Sequence, residues 1–260
     1  MKLQLIRHAT LLLEYGGLRI LVDPMLSDQG ASPPIPGTPN ERRNPTVGLP
    51  LPAGALAESD LVLVTHLHKD HWDDAAAALL PKTMPILCQP GDEATFNDAG
   101  FAAARPIGTS TEFRNVEVSL TGGRHGTGEI GKAMGRVWGF VLQAKGEPTL
   151  YLAGDTIYCE EVEQALDGFK PEVVVVNAGG ARFLAGDPIT MTPEDVLSVC
   201  RKAPDATVVA VHMEAINHCV VTREHLRSAL AATPYADRVL IPEDGEQVNY
   251  TIGRGLQDYR

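Results

Sequence analysis

Residues 65–71 read THLHKDH and directly follow the apolar run DLVLV. This segment holds three of the eight histidines in a chain of 260 residues, together with an aspartate. Side chains alternate along an extended strand, so His66 and His68 would project to the same side. A turn after them would let Asp70 and His71 face a neighbouring position. The segment therefore predicts a strand that ends in a cluster of metal-ligand side chains.

The same arrangement recurs elsewhere in the chain. The run TLYLA leads into Asp155, TVVAV leads into His212, and VEVSL is followed closely by His125. Ligand-type side chains thus follow the carboxyl ends of apolar strands, where α/β sheets place their binding crevices. A lone histidine is more often a core or surface residue than a ligand, but four such elements in one order favour a shared site. Imidazole and carboxylate groups together suit zinc, iron or manganese.

Short apolar runs alternate with helical segments along the chain, and this order predicts an α/β protein with buried sheets and helices outside. Gly16-Gly17 predicts a hairpin turn, and Thr192-Pro193 predicts the start of a helix. The predicted strands cover 3–7, 10–14, 18–22, 60–64, 116–120, 137–143, 149–153, 172–177 and 207–212. The predicted helices cover 72–80, 91–99, 159–168, 193–203 and 222–232.

Residues 27–52, named here the lid segment, carry seven prolines and have no apolar periodicity. A long segment without secondary structure inside a compact domain is typical of a lid, a binding loop or a disordered region. Its prolines would limit the entropy that it loses on ordering.

The composition excludes several classes of protein. A hydrophobic fraction of 44% and a charged fraction of 21% are typical of a globular chain. The formal net charge of −11 argues against broad binding of nucleic acid, which needs a basic surface. No apolar run reaches the roughly 18 residues of a membrane span, and the N-terminus lacks the pattern of a signal peptide. Four scattered cysteines favour the reducing cytoplasm.

Several motifs together resemble a known superfamily. HLHKDH, HGTG, AGDT and the late histidine in VAVHMEAINH resemble the metallo-β-lactamase superfamily. The wider set RHATLLLEYGGLRILVDP, THLHKDH, RHGTG, YLAGDT and TMTPEDV resembles its ascorbate-6-phosphate lactonase-like group of metal-dependent hydrolases. The resemblance runs from His8 to about Glu246. It implies a four-layer αββα sandwich and one domain over residues 1–260.

The resemblance also implies two divalent metal ions, with zinc as the first expectation and manganese or iron as alternatives. The implied ligands are His66, His68 and His125 for the first ion, Asp70, His71 and His212 for the second, and Asp155 as the bridge. Asp70 would in addition orient or deprotonate the attacking water. Asp23 and His8 would support the ligands from behind. The alternative for Asp23 is a turn-forming Asp-Pro, and the alternative for His8 is packing.

Four further residues are candidates for contact with the substrate. Arg42 and Arg43 lie in the lid segment and Arg182 follows the motif NAGG. Guanidinium groups bind carboxylates or phosphates, although solvated surface arginines are the alternative. His218, six residues after His212, could donate a proton to a leaving group or serve the fold alone.

We therefore expect an enzyme in which hydroxide held by the metal ions attacks a small anionic ester or lactone. A phosphodiesterase acting on a nucleotide or phospholipid-like substrate is the alternative, since both reactions need hydroxide and a Lewis acid. A non-catalytic metal- or ligand-binding protein is a third hypothesis. The expected partner is a small molecule, and a homo-oligomer stays open.

Overall fold

The computed structural model describes the backbone of residues 1–251 and 255–259 and the side chains of residues 1–251. Its strands form two mixed sheets. The first sheet has the order β15-β14-β1-β2-β3-β4-β5-β6. These strands are β1 Lys2–Arg7, β2 Thr10–Tyr15, β3 Leu18–Val22, β4 Leu61–Val64, β5 Ile86–Cys88, β6 Ala104–Pro106, β14 Gln247–Thr251 and β15 Gly255–Tyr259.

The second sheet has the order β13-β12-β11-β10-β9-β8-β7. Its strands are β7 Ser110–Phe113, β8 Val116–Gly122, β9 Trp138–Gln143, β10 Leu150–Leu152, β11 Val173–Asn177, β12 Thr207–Val211 and β13 Val239–Leu240. The α-helices are α1 Asp74–Leu79, α2 Glu93–Asp98, α3 Gly128–Met134, α4 Glu160–Phe169, α5 Pro193–Lys202 and α6 Arg223–Leu230. Short 3-10 helices cover Ala53–Leu56 and Ala236–Arg238.

The strands alternate between two buried faces. In β4, Leu61 and Leu63 point into the core between the sheets, whereas Val62 and Val64 pack under α1 and α2. The valines of β11 alternate in the same way between the central core and the layer under α4, α5 and α6. Because both faces are covered, these strands are continuously apolar. The result is the αββα layering that the resemblance to the metallo-β-lactamase superfamily implied.

Strand direction places the predicted ligand side chains at one edge of each sheet. β3, β4, β5 and β6 are parallel neighbours, and so are β10, β11, β12 and β13. β1 is antiparallel to β2, which is antiparallel to β3, so β1 runs in the same direction as β4. The segments that follow β1, β3, β4, β10, β11 and β12 therefore leave the sheets at matching ends.

All nine strands and all five helices predicted from the sequence are present, with ends that differ by at most two residues. The sequence did not indicate the short strands β5, β6, β7 and β13, the helix α3 or the C-terminal pair β14 and β15. The strands β5, β6, β7 and β13 have only two to four residues, and such short runs carry too little periodicity to stand out. Among the described residues, no helix is both long and apolar enough to cross a membrane.

Candidate metal centre and adjoining pocket

The segment after β4 turns sharply within the motif. The backbone amides of His71 and Trp72 both donate to the carbonyl of His68 at 2.9 Å. This turn directs His66 and His68 to one group of side chains and Asp70 and His71 to another. Asp73 then caps α1 by accepting from the amide of Ala76.

Asp155 lies between the converging imidazoles. Its Oδ2 is 3.2 Å from Nε2 of His71, 3.4 Å from Nε2 of His125 and 3.9 Å from Nε2 of His66. Its Oδ1 is 3.2 Å from Nε2 of His212. These separations are those of ligand atoms arranged around cations at bond lengths of about 2.0–2.2 Å. The carboxylate therefore lies between the imidazoles of His66, His71, His125 and His212.

The ligand-type side chains form three groups that share members. Within each group, the ligand atoms lie within 4.8 Å of one another. The groups are His66, His68 and His125; His66, His71 and Asp155; and His8, Asp70, His71 and His212. All seven ligands implied by the resemblance thus come together at one place.

The donor atoms of this cluster fit a bound metal. Nε2 of His66, His71 and His212 is buried and has no hydrogen-bond partner in the described part of the chain. A buried polar atom without a partner is costly, and a metal ion would satisfy all three. A set of imidazoles and carboxylates without thiolate suits zinc, manganese or iron.

Supporting residues fix the orientation of the rings. Asp23 accepts from the Thr65 amide through Oδ1, and its Oδ2 lies 2.8 Å from Nδ1 of His71. Nδ1 of His125 donates to the carbonyl of Ile189 at 2.7 Å, which leaves Nε2 for the metal. The side-chain amide of Asn177, the last residue of β11, donates to Oδ1 of Asp155 at 2.6 Å.

His8 lies behind the second group of ligands. Its Nε2 is 3.0 Å from Oδ2 of Asp70, its ring centroid is 3.6 Å from that of His212, and its carbonyl accepts from the His212 amide. Burial, and then the nearby His212, lowers the pKa of His8 to about 3. The neutral ring therefore donates to the Asp70 carboxylate and holds it in place. His8, Asp23 and His212 all have positive φ, a strained conformation that collects at functional sites.

The cluster strongly perturbs proton binding. Burial raises the pKa of Asp155, but the His212 and His71 rings outweigh burial and hold it well below its usual range. Asp70 is affected in the same way, with His71 as its main partner. Burial lowers the pKa of His66 well below its ordinary value, so that imidazole stays neutral and able to bind a metal.

A pocket of about 650 Å³ opens onto this cluster. Its walls are mainly apolar and are lined by Met25, Pro33, Pro34, Ile35, Pro36, Met134, Phe183, Ile189 and Ile216. Its polar end is lined by His68, Asp70, His125, Asp155 and His218. Lys69 also lines it but is paired with Asp74 at 2.7 Å. Among the residues that the structure describes, no arginine lines the pocket.

The four predicted substrate-contact residues separate into two groups. His218 is buried, lines the pocket and has an Nδ1 without a partner in the described structure. Arg42, Arg43 and Arg182 are exposed on the surface. The guanidinium of Arg43 donates to the carbonyls of Gly30 and Ala31, inside the lid segment. The substrate role of the arginines stays a prediction, without a pocket contact to support it.

The sequence did not single out several residues that build the site. Asn177 could have been found by the rule that found Asp155, because it also ends an apolar strand. Thr65 directly precedes the histidine motif, and its backbone amide and its hydroxyl both donate hydrogen bonds to the Asp23 carboxylate. Phe183 and Met134 carry no local signal, since Phe183 lies in a loop and Met134 ends a seven-residue helix without a clear apolar face.

Two sheets enclosed by helices, with a His/Asp cluster at one end of the strands, define a protein of the metallo-β-lactamase fold. The family model described as "Beta-lactamase superfamily domain" matches residues 18–213. A UPF0173 protein of Bacillus subtilis strain 168, YddR, is 35% identical over 96% of this chain and 100% of its own length. The chain belongs to the β-lactamase superfamily and, within it, to the UPF0173 family of metal-dependent hydrolases.

Two further relatives bear on function. A UPF0173 metal-dependent hydrolase of Anaeromyxobacter dehalogenans is 28% identical over 90% of this chain and 81% of its own length. The crystal structure of an isothiocyanate hydrolase from Delia radicum gut bacteria superposes with a TM-score of 0.92. It is 40% identical and covers 96% of this chain and 99% of its own.

Proposed function

We propose that this protein hydrolyses a small, uncharged electrophile with an apolar substituent, and that isothiocyanates are the leading class. The observation that carries the proposal is the composition of the pocket, in which apolar walls meet a His/Asp cluster and no described arginine takes part. An uncharged substrate needs no guanidinium, whereas an apolar substituent gains from burial against proline, isoleucine and phenylalanine side chains. The similarity to an isothiocyanate hydrolase supports the same class.

The reaction balances as R–N=C=S plus water giving R–NH2 plus carbonyl sulfide. Two divalent ions, with zinc first and manganese or iron as alternatives, would be held by the seven ligands and would lower the pKa of water and polarise the substrate. A C–O bond forms at the central carbon as Asp70 accepts one proton from the attacking water and returns it to the substrate nitrogen. The C–N bond then breaks while the new hydroxyl group gives up the second water proton and carbonyl sulfide leaves. His218 passes a proton to the departing nitrogen, since burial keeps its ring neutral, with one N–H and one free lone pair.

The anionic ester or lactone expected from the sequence is the second substrate class to test. The ascorbate-6-phosphate lactonase-like resemblance implies a phosphorylated lactone, and such an anion would gain from a guanidinium fork. Arg42, Arg43 and Arg182 would have to move to supply it. A phosphodiester makes the same demand. We further propose one catalytic domain in the cytoplasm, where the four free cysteines would stay reduced.

The test is a substrate panel on purified protein reconstituted with zinc, manganese or iron. It contains benzyl isothiocyanate, an uncharged lactone, a phosphorylated lactone and bis-p-nitrophenyl phosphate. We expect benzyl isothiocyanate to have the highest kcat/KM, with amine and carbonyl sulfide formed in equal amounts. His66→Ala should lower kcat/KM at least about 100-fold, because a ligand of the metal is lost. His225→Ala, at an exposed histidine of α6, is the control and should retain activity.

A higher kcat/KM for the phosphorylated lactone or the phosphodiester would contradict the proposal. Turnover that His66→Ala leaves unchanged would contradict the assignment of the reaction to this site.

A further inference from the structure

The tip of the lid segment forms one wall of the pocket. Ser32 and residues 33–36 line the cavity that also contains the His/Asp cluster. The two ends of the segment are fixed by the buried guanidinium of Arg7, which donates to the carbonyls of Met25, Ser27 and Val47. The tip itself lies outside regular secondary structure, so its shape depends on other contacts.

One buried side chain, that of Asn217, supplies several of those contacts. Oδ1 of Asn217 accepts from the amide of Ile35 at 3.0 Å and from Nδ2 of Asn44 at 2.8 Å. Its Nδ2 donates to Oγ1 of Thr38 at 2.6 Å and to the carbonyl of Asn40 at 2.8 Å. The side-chain amide thus uses its oxygen and both hydrogens on the lid segment.

The backbone of Asn217 takes part as well. Its amide donates to Oδ1 of Asn44 at 2.9 Å, and its carbonyl accepts from Nδ2 of Asn40 at 2.7 Å. Asn217 is fully buried, and its neighbours Ile216 and His218 both line the pocket. The turn at residues 216–218 therefore contributes two residues to the pocket and also holds the lid segment, which forms another wall of the pocket.

We propose that Asn217 is a positioning residue that determines specificity: it holds the tip of the lid segment as a wall of fixed shape, so that the pocket selects substrates by the size of their apolar group. The identity of those substrates rests on the proposed function, but the anchoring of the wall does not. Neither aspartate nor alanine reproduces these contacts. Aspartate lacks the two N–H donors, and alanine leaves the Ile35 amide and Nδ2 of Asn44 without the acceptor that Oδ1 of Asn217 provides.

Arg42 and Arg43 make the anchoring measurable without any substrate. Both are exposed in the lid segment and are trypsin sites. Cleavage of a held loop requires local opening, so releasing the tip should speed cleavage at these positions. We expect Asn217→Ala and Asn217→Asp to be cut there at least about tenfold faster than the wild-type chain, because several buried hydrogen bonds are lost. Asn44→Ala should act in the same direction.

Asn115→Ala is the matched control. Asn115 is exposed and donates to the carbonyl of Gly16 in a turn that takes no part in the pocket. It should leave the rate of cleavage in the lid segment unchanged. Cleavage of the Asn217 variants at the wild-type rate would overturn the proposal, and metal content should stay at the wild-type level throughout.

Kinetics test the specificity. For benzyl isothiocyanate, Asn217→Asp should lower kcat/KM about tenfold, mainly through KM, since the substituent loses roughly 50 Å² of apolar contact. For methyl isothiocyanate the change should be small, because its substituent barely reaches the wall. An equal loss for both substrates would overturn the assignment, because it would indicate general damage to the site. If the wild-type protein hydrolyses no isothiocyanate, the proposed function fails. The smallest and largest esters that it hydrolyses then replace benzyl and methyl isothiocyanate in the kinetic test. The trypsin assay still decides whether Asn217 anchors the tip of the lid segment.

Discussion

At the scale of single residues, the site consists of buried imidazole and carboxylate groups that hold one another in position by direct contacts. Asp155 lies within 3.9 Å of imidazole nitrogens of four histidines, which come from three separate parts of the chain. Asp23 and His8 in turn hold His71 and Asp70. Because each of these contacts replaces water, removing one partner leaves another buried group unpaired. Changes behind the ligands should therefore reach the metal.

Asp23→Asn should weaken metal binding by about 10–100-fold. The oxygen that faces Nδ1 of His71 also faces the Thr65 hydroxyl, and an amide cannot accept all three contacts that the carboxylate now accepts. Competition with a chromogenic chelator measures the affinity. Asp60→Asn, at a half-exposed carboxylate beside Arg114, is the control and should bind metal normally. Wild-type affinity in Asp23→Asn would show that Asp23 only shapes its turn.

His218 predicts a dependence of stability on pH. Burial lowers its pKa from 6.5 to about 4 in the folded protein. Between these values the unfolded chain binds more protons, so the free energy of unfolding falls as the pH drops. From pH 7 to pH 5, the metal-free wild-type protein should lose about 2 kcal/mol more than His218→Gln does. Urea unfolding at both pH values measures this, with His225→Gln as the exposed control. Equal losses in wild type and His218→Gln would refute the shift.

At the scale of elements, close contact between the loops that follow the parallel strands sets the ligand positions. The motif NAGG after β11 runs against the backbone of His212 after β12. A Cβ added at Gly179 would stand 2.1 Å from the His212 carbonyl oxygen. Gly154, before Asp155, has a φ of +69°, and a Cβ added there would stand 2.8 Å from the Trp138 carbonyl oxygen. Glycine at these places lets the ligand-bearing loops approach each other.

Gly179→Ala should lower the free energy of unfolding by about 1–3 kcal/mol and weaken metal binding, because the added methyl displaces the backbone of His212. Gly168 provides the contrast, since a Cβ there would meet nothing within 4 Å and the residue lies in α4. Gly168→Ala should stabilise the protein by about 0.5–1 kcal/mol. Thermal unfolding and metal titration of both variants make the comparison. If Gly179→Ala is as stable as the wild-type protein, the loops after β11 and β12 can move apart without a loss of unfolding free energy.

At the scale of the whole molecule, the two sheets bring together predicted ligands that are up to 146 positions apart, from His66 to His212. Metal binding is therefore coupled to the packing of one sheet on the other. The unfolded chain retains only the local HLHKDH segment and cannot form the complete cluster. Ions that bind the folded state alone stabilise it by mass action.

Removing metal with a chelator should lower Tm by about 5–10 °C relative to protein with metal at 100 times its Kd. Readdition of zinc should restore the transition. A His71→Ala variant is the reference, because its cluster lacks a central ligand and its Tm should respond little to the chelator. A wild-type Tm that is insensitive to chelator and to zinc would contradict a metal centre formed on folding.

Much of the fold and of the candidate site followed from the sequence, because two local signals are strong. Strands such as β4 and β11 are apolar on both faces, and this predicts sheets covered on both sides. His66, His68, Asp155 and His212 each follow such a strand, and chain direction places strand ends together. These are properties of neighbouring residues, so no knowledge of distant contacts was needed.

The tertiary structure alone decided the substrate side of the site. The directions of Arg42 and Arg43, the apolar lining from Met134 and Phe183, and the burial of Asn217 under the lid segment have no periodic pattern in the sequence. A proline-rich loop takes its path from the surfaces that it meets, and those surfaces come from remote parts of the chain. The sequence determined which groups can bind metal; packing between distant segments decided what kind of molecule can reach them.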